Sequence, residues 1–563
     1  MRSSFFGLNV ALSGLYTAQR NLDTINHNLS NASTPGYSRQ QAVQQASLAI
    51  GLYNGTGMVG TGSEVLTVER IHDDYLDYKY WSGNTASGEW SVKQDMLSEI
   101  EKTFNEPSTN GSGFNKIMDD FYKSMDDLSR NPSDLSARKV VISKGVSLTK
   151  YYNSLATHFE KIQSDTNDAV RIKVDEINSL AVQLQNLNKQ IYTAEADGNT
   201  ANDMRDKRGV LVDQLSKIVD IQANEVTVGK LVNGRDNKHF VITVDGKALI
   251  DHFNISKLRI TQRATKLNEE DINNLYEIDW ADGNNLEING GELKGYLDIR
   301  DGNGQASSDP DKMIEFKGIP YYTKKANEFV RKLALAINEG ITEGVGSDGV
   351  TKIYTKSDEY TGHANGFGLE KPGTGVSSTE IRFFAMTGWS SSNNRTTELD
   401  SNEFINDTIL AGLDADPVKA TGMLYENLTA KNFSVSGDLI NQEYGEYNLA
   451  ASAGAGLPED NSNLLQFLDM RHDTHMFTEG APEDFMKAMV ASLGIDSQQS
   501  MQINKTQETI MEQIENRRAS ISGVSLNEEM VNLVKYQHAY NAAAKMISTM
   551  SEIYDTLINR VGV

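Results

Sequence analysis

The chain has 563 residues, 38% of them hydrophobic and 23% charged, with 77 acidic against 53 basic side chains and a formal net charge of -24. That is long enough for three or four domains at roughly 100–200 residues each, and the composition is that of a folded protein. The acidic balance excludes the basic footprint of a nucleic-acid binder and the Lys/Arg clusters suited to an anionic membrane, and the lack of cysteine excludes disulfides, Cys-ligated metal sites and a thiol nucleophile.

The first residues, Met1-Arg2-Ser3-Ser4-Phe5-Phe6-Gly7, lack the apolar core and cleavage site of a signal peptide, and no run in the chain reaches the ~18–20 apolar residues of a membrane span. The expectation is a cytosolic chain, or one exported by a route that reads something else. Residues 1–60 carry Arg2, Arg20 and Arg39 against only Asp23, so the negative charge lies further along. An acidic middle with near-neutral ends fits a solvated body whose ends meet other protein.

Leu8, Ala11, Leu12, Leu15, Ala18, Leu22, Ile25, Leu29 and Ala32 recur at spacings of three and four, which predicts a helix with one apolar stripe. It should stop near Asn31-Ala32-Ser33. Pro35 disfavours helix at Thr34, and Pro35-Gly36, ahead of Tyr37, suits the central positions of a type II turn. Gly55-Thr56-Gly57-Met58-Val59-Gly60 matches the dinucleotide fingerprint, but a strand pattern, Ser63 to Val68, follows it instead of the helix that the pyrophosphate needs.

Residues 90–220 read as helix, with Ile177, Leu180, Val182, Leu184, Leu187 and Ile191 set among polar residues, a break at Gly198-Asn199, and a further helix from about Asp203 to Val219. Residues 221–300 read as strands and turns, and Phe240 to Val244 followed by Asp245-Gly246 signals a hairpin. Asp298, Asp301 and Asn303 cluster near Gly302 and Gly304 without the alternate spacing of an EF-hand loop. A helix from about Tyr321 to Asn338 follows Pro320, and residues 340–456, rich in Gly, Ser, Thr and Asn, suggest a second small β-rich domain.

From Asn461 onward the chain reads as helix again. His472 and His475 are spaced to share a helix face and to hold a metal with Asp473 or Glu479, but no H-E-x-x-H motif accompanies them; the alternative is two solvated histidines. At the end, Leu526, Met530, Leu533, Gln537, Tyr540, Ala544, Ile547, Ser551, Tyr554, Ile558 and Val561 alternate steps of four and three. That period of about 3.5 favours a coiled-coil seam over an ordinary globular face. Ser525 and Glu528 form a capping box that starts the helix, which would be about 50 Å long at ~1.5 Å per residue.

These patterns predict an α+β multidomain protein with paired long terminal helices. Residues 1–60 with 523–563 form the terminal domain; 61–220 with 305–340 and 457–522 form a helical rod; 221–304 and 341–456 are β-rich insertions, the second an outer domain. The assembly interface is expected at Leu8, Leu12, Leu15, Leu22, Ile25 and Leu29, and at Leu526, Met530, Leu533, Tyr540, Ala544, Ile547, Tyr554 and Ile558, with Thr34 to Tyr37 as the turn between layers. No catalytic residue, cofactor or metal is expected.

Ser13-Gly14-Leu15 and the run Asn28 to Gln40 resemble the N-terminal signature of the flagellar rod, hook and junction proteins, and Ser38-Arg39-Gln40 is more like the junction members. Ser522 to Glu529, Lys535 to Tyr540 and Ala544-Lys545 resemble the other end of the same family, with His538 where the family usually has Gln. Gly60 to Arg70, Tyr75-Leu76, Arg205 to Arg208 with Leu211-Val212, and Gly291 to Asp301 fit as well, whereas 340–456 shows no clear match. The resemblance implies a structural subunit that joins hook to filament as a ring. It implies export through the flagellar type III channel and terminal helices that order on assembly. The implied partners are further copies, the hook protein, a second junction protein (hook-associated protein 3) and a cytosolic chaperone on the C-terminal helix. Two alternatives stay open: another axial protein, either the hook subunit or the second junction protein, and a junction protein with a metal-dependent enzymatic insertion around His472 or in 340–456.

Overall fold

The computed structural model describes residues 6–51, 57–104, 113–230, 236–305, 314–345, 352–356, 360–387, 425, 427–440 and 443–559. Among them the chain begins with α1 (Phe6–Asn31), β1 (Gln40–Ala46), β2 (Ile50–Gly51), β3 (Met58–Val59) and β4 (Ser63–Arg70). Four helices follow: α2 (Asp74–Phe104), α3 (Phe114–Ser129), α4 (Leu135–Ala196) and α5 (Asn202–Ile218). Then come β5 (Gln222–Lys230), β6 (Asp236–Val244), β7 (Lys247–Asp251), β8 (Asn254–Ile255), β9 (Leu258–Gln262) and β10 (Tyr276–Trp280). Next are α6 (Gly291–Asp301), β11 (Asn303–Gln305), β12 (Ile314–Lys317), α7 (Ile319–Glu339), β13 (Ile341–Val345), β14 (Lys352–Lys356), β15 (Phe384–Met386) and β16 (Phe433–Val435). The last are α8 (Gly437–Ile440), α9 (Ser462–Met470), α10 (Pro482–Ser522) and α11 (Leu526–Asn559). None of the described helices is long and apolar enough to cross a membrane.

The spine is α4, whose 62 residues span roughly 90 Å. Asp134 starts it by accepting from the amides of Ser136 and Ala137, so its first turn is capped. Its first half buries Val141, Leu148, Tyr152 and Phe159 in a core shared with Phe121 of α3, Phe329 of α7, Phe467 of α9 and Phe485 of α10. Its second half buries Val170, Val174, Ile177 and Leu184 in another core, with Val212 and Leu215 of α5, Ile242 and Ile250 of the sheet, and Trp280.

Between the cores α4 turns polar, and each buried polar atom has a partner there. Gln163 donates to Asp271 and to the Arg300 carbonyl, each at 2.9 Å, and accepts from the Ile272 amide at 2.9 Å. Asn167 accepts from the Tyr276 amide at 2.9 Å and from Arg300 at 3.0 Å.

Strands β5 to β8 form a four-stranded antiparallel sheet in sequence order. The β6–β7 hairpin turns at Asp245-Gly246, where both residues have positive φ and Val244 pairs with Lys247.

Two segments differ from the sequence expectation. Residues 291–301, expected within the 221–304 β-rich insertion, are helix α6. Its glycines serve close packing: a Cβ on Gly295 would lie 2.8 Å from the Glu89 carbonyl oxygen of α2. The described part of 341–456, expected as an outer domain, contributes Phe383, Phe384, Tyr425, Leu428, Phe433 and Leu449 to the core of the helical body. Arg138 of α4 fastens that segment. It is buried and donates to the carbonyls of Pro132, Glu446 and Leu449. Burial without a carboxylate partner pulls its pKa down to about 10.

Candidate assembly interface

The two ends of the chain lie side by side. A Cβ on Gly7 would be 2.8 Å from Met550 Cε, and Asn28 donates to Glu529 at 3.2 Å. Equal numbers of residues separate the two contacts on α1 and on α11, so the helices run antiparallel in one register. Gly7 allows the close approach at the far end. Ser525 caps α11, its Oγ accepting from the Glu528 amide at 3.5 Å. The Glu528 carboxylate does not reach back to complete the box; it accepts from Arg39 at 2.9 Å.

At the near end a polar joint ties four segments together. Asn28, 1% exposed, donates to the Gln40 carbonyl at 2.9 Å and to Glu529, and accepts from Tyr37 Oη at 2.8 Å and from the Gln40 amide at 2.9 Å. The side chain's donors and acceptors are thereby saturated. Glu529, 2% exposed, also accepts from Arg39 Nε at 2.7 Å, and the Arg39 amide donates to the Ser522 carbonyl at 2.7 Å. The buried carboxylate therefore carries its own counter-charge.

The turn itself is the expected type II. The Tyr37 amide donates to the Thr34 carbonyl at 3.2 Å and Gly36 has φ +73°. Gly36 is also required by packing, since a Cβ there would fall 2.2 Å from Val210 Cγ2 of α5. Asp206 of α5 then receives the exit strand: it accepts from the Ser38 amide at 2.9 Å and from Arg70 at 3.0 Å. Burial and then the carboxylates of Asp203, Asp206 and Glu529 push the Tyr37 phenol well above its ordinary range, so it stays a hydrogen-bond donor.

The expected seam residues divide. On α11, Leu533, Tyr540, Ala544, Ile547 and Tyr554 are half-buried on the side of α1, together with Tyr536, Ala543 and Met550. Leu526 and Met530 are 54% and 59% exposed, and Val534, one turn on, is 50% exposed. The side chain of Ile558 lies outside the described residues. The face that meets α1 is thus rotated from the strict apolar repeat, and an apolar stripe, Leu526, Met530 and Val534, faces outward. On α1, Ile25 is buried, Leu8, Leu15, Leu22 and Leu29 are half-buried, and Leu12 and Tyr16 are exposed.

The residues that sequence reasoning missed are polar: Asn28, Arg39, Glu529 and Asp206. The available signal was a lone Arg beside the turn and paired acids at the start of the last helix.

The chemical candidates do not assemble into a site. His472 and His475 lie in the turn after α9 rather than on one helix face, and His475 bonds Asp473 at 3.1 Å. Gly55 and Thr56 lie outside the described residues, and Gly57 to Gly60 lead to strands. Asp298 pairs with Lys93 at 2.7 Å and Asp301 with Arg300 at 2.6 Å. His72, Asp74 and Asp77 bring ligand atoms within 4.8 Å of one another. There Arg518 supplies the cation, 3.0 Å from Asp77 and 2.7 Å from Asp213, and binds α10 to α2 and α5.

Three family models match the chain. The flagella basal body rod protein model matches residues 8–37, the helical domain of flagellar hook-associated protein FlgK matches 97–353, and the C-terminal model of flagellar basal body rod FlgEFG protein matches 515–560. Flagellar hook-associated protein 1 of Bacillus subtilis is 28% identical over 586 residues, covering 100% of this chain and 99% of that one. The protein of the same name in Escherichia coli is 26% identical, covering 98% and 99%. Over its whole length the chain is similar to the flagellar hook-associated protein 1 relatives. It is a structural protein of the bacterial flagellum at the hook–filament junction, and it assembles with other flagellar components. The solved flagellar hook junction protein FlgK from Burkholderia pseudomallei aligns at 13% identity with a TM-score of 0.49, covering 80% of this chain and 100% of that one. The two terminal family models cover most of α1 and α11, the helices that meet here, and the first ends on Tyr37 of the joint.

Proposed function

We propose that this protein forms a ring in which the paired α1–α11 helices make the inner wall and the helical body lies outside it. The outward stripe on α11 carries the reading: Leu526, Met530 and Val534 are apolar, in line and exposed in the single chain. At ~25 cal/mol per Å² of apolar area, burying such stripes between copies contributes a few kcal/mol to holding neighbouring chains together. The expected interface residues then take two roles. Leu533, Tyr540, Ala544, Ile547 and Tyr554 pair with Leu8, Leu15, Leu22, Ile25 and Leu29 within a chain, and Leu12, Leu526 and Met530 meet neighbours.

On this reading the partners are further copies, the hook protein on one side and hook-associated protein 3 on the other. Export runs through the flagellar type III channel to an extracellular position, with a cytosolic chaperone shielding the α11 stripe beforehand. The role is structural rather than catalytic.

The test is a triple variant, Leu526→Ser with Met530→Ser and Val534→Ser, added to isolated hooks that lack the protein. It should keep the monomer's helicity and lose hook binding and filament growth. Undiminished filament growth would overturn the proposal.

A further inference from the structure

A second polar anomaly lies far from the paired ends, in the β5–β8 sheet. The β7–β8 turn is made by His252 and Phe253, with His252 in the left-handed region at φ +51°. The His252 ring is 7% exposed and lies flat on His239 of β6, ring centroids 3.9 Å apart and planes 8° apart. Phe253 stacks on its other side at 3.7 Å, and Tyr192 of α4 meets it edge-on at 5.6 Å. The turn is docked on α4 through its backbone: Asn188 donates to the His252 carbonyl at 3.0 Å, and Gln185 donates to the Phe253 carbonyl.

Neither ring nitrogen of His252 has a hydrogen-bond partner among the described residues. The ring borders a cavity of about 20 Å³ that also touches Asn188, Tyr192, Arg208 and Glu225. That is room for one water and no larger ligand. A shared metal ion is disfavoured because a metal lies in the plane of each imidazole that binds it, and these planes are parallel and offset.

Charges of both signs surround the pair, and burial is what chiefly opposes a proton on His252. From α5, Arg205 and Arg208 face the cavity; from β6, Asp236 and Lys238; from α4, Tyr192 and Glu195; from β5, Glu225; His239 lies on the ring itself and Asp251 adjoins in the chain. Glu195 and Glu225 are already held by Arg205, and Glu225 also by Arg208. Burial first, then His239 and Arg208 against Asp251, hold the His252 imidazole below its ordinary range.

We propose that the His239–His252 stack is an acid-sensitive latch that keeps the β7–β8 turn docked on α4 at neutral pH and frees it when a proton enters the stack. The docked ring resists protonation and the released ring does not, so docking is complete above the released imidazole's pKa of about 6.5 and is lost as pH falls below it. Left-handed strain at His252 favours release once the stack is broken.

The test is hydrogen–deuterium exchange of the full chain, read on peptides covering 247–258 and corrected for the intrinsic pH dependence. Protection should fall between pH 7.5 and pH 5, tenfold for each unit by which the docked pKa lies below the released one. In His252→Asn, which tolerates positive φ and does not titrate, protection should not change with pH. His239→Phe keeps a flat partner and removes the competing charge, so the docked pKa moves toward the released one and the loss of protection should become smaller. A flat response in the parent chain overturns the latch, as does an undiminished response in His252→Asn. If that variant does not fold, an undiminished response in His239→Phe overturns it instead.

Discussion

Asn28 and Glu529, 501 positions apart in the chain, share a hydrogen bond of 3.2 Å that closes the antiparallel pairing of the two terminal helices. The bond is buried, and each partner spends its remaining capacity on the turn and the exit strand. Removing Asn28 therefore orphans several groups together. In Asn28→Ala the Gln40 amide and carbonyl lose the Asn28 side chain, at about 1–3 kcal/mol for each group left unsatisfied, and the Tyr37 hydroxyl keeps only His27 Nδ1 at 2.9 Å. The expected outcome is faster proteolysis at both ends of the free chain, in parallel, with the body intact. Loosening of only one end would show that the ends are not coupled through this joint.

Gly36 is constrained by its backbone and by its neighbour, and the two can be separated. Gly36→Ala meets positive φ, worth ~1–2 kcal/mol, and the Val210 methyl group at 2.2 Å. Val210→Ala alone should cost about 1 kcal/mol for the trimmed contacts. The double variant should be more stable than the sum of the singles, because shortening Val210 removes the clash and leaves the φ strain. Urea unfolding of the four proteins checks this, and strict additivity would mean that the turn does not press on α5 as described.

How much of this was legible in the sequence depends on the range of the interaction. The end of α1, the type II turn and the Asp245-Gly246 hairpin rest on proline, glycine and cap chemistry acting over a few residues, and each forms as the pattern indicates. The helical period of α11 is equally local. Its facing side is not: the strict repeat places Leu526 and Met530 in the seam, yet the helix turns Tyr536, Ala543 and Met550 toward α1 instead. Helix α6 was not legible within a stretch that reads as strands and turns, because the role of Gly291 and Gly295, close approach to α5 and α2, is set by distant backbone. Ile381-Arg382-Phe383-Phe384 has no period that could announce burial against α3 and α4. The Asn28–Glu529 tie is invisible to any window, since polar residues in a helix read as its solvent side until the partner is in place.

A pH dependence follows from His363. Its ring is fully buried; Nδ1 donates to the Ile381 carbonyl and Nε2 accepts from the Ala450 amide at 3.0 Å. One nitrogen donates and the other accepts, so the ring is neutral, and a second proton would have to displace the Ala450 amide. Burial, and to a lesser degree Arg138, outweigh the Ile381 bond and bring the pKa down to about 4. The unfolded chain, titrating near 6.5, binds more protons between those values. The His363 contribution is thus complete above about pH 6.5 and is lost as pH falls toward 4, to a total of about 3 kcal/mol. His363→Gln offers a donor and an acceptor and does not titrate. Urea melts at pH 7 and pH 4.5 should show the parent losing more stability than the variant, by most of that amount. Equal losses in the two proteins would mean that His363 is not the buried neutral clamp between Ile381 and Ala450.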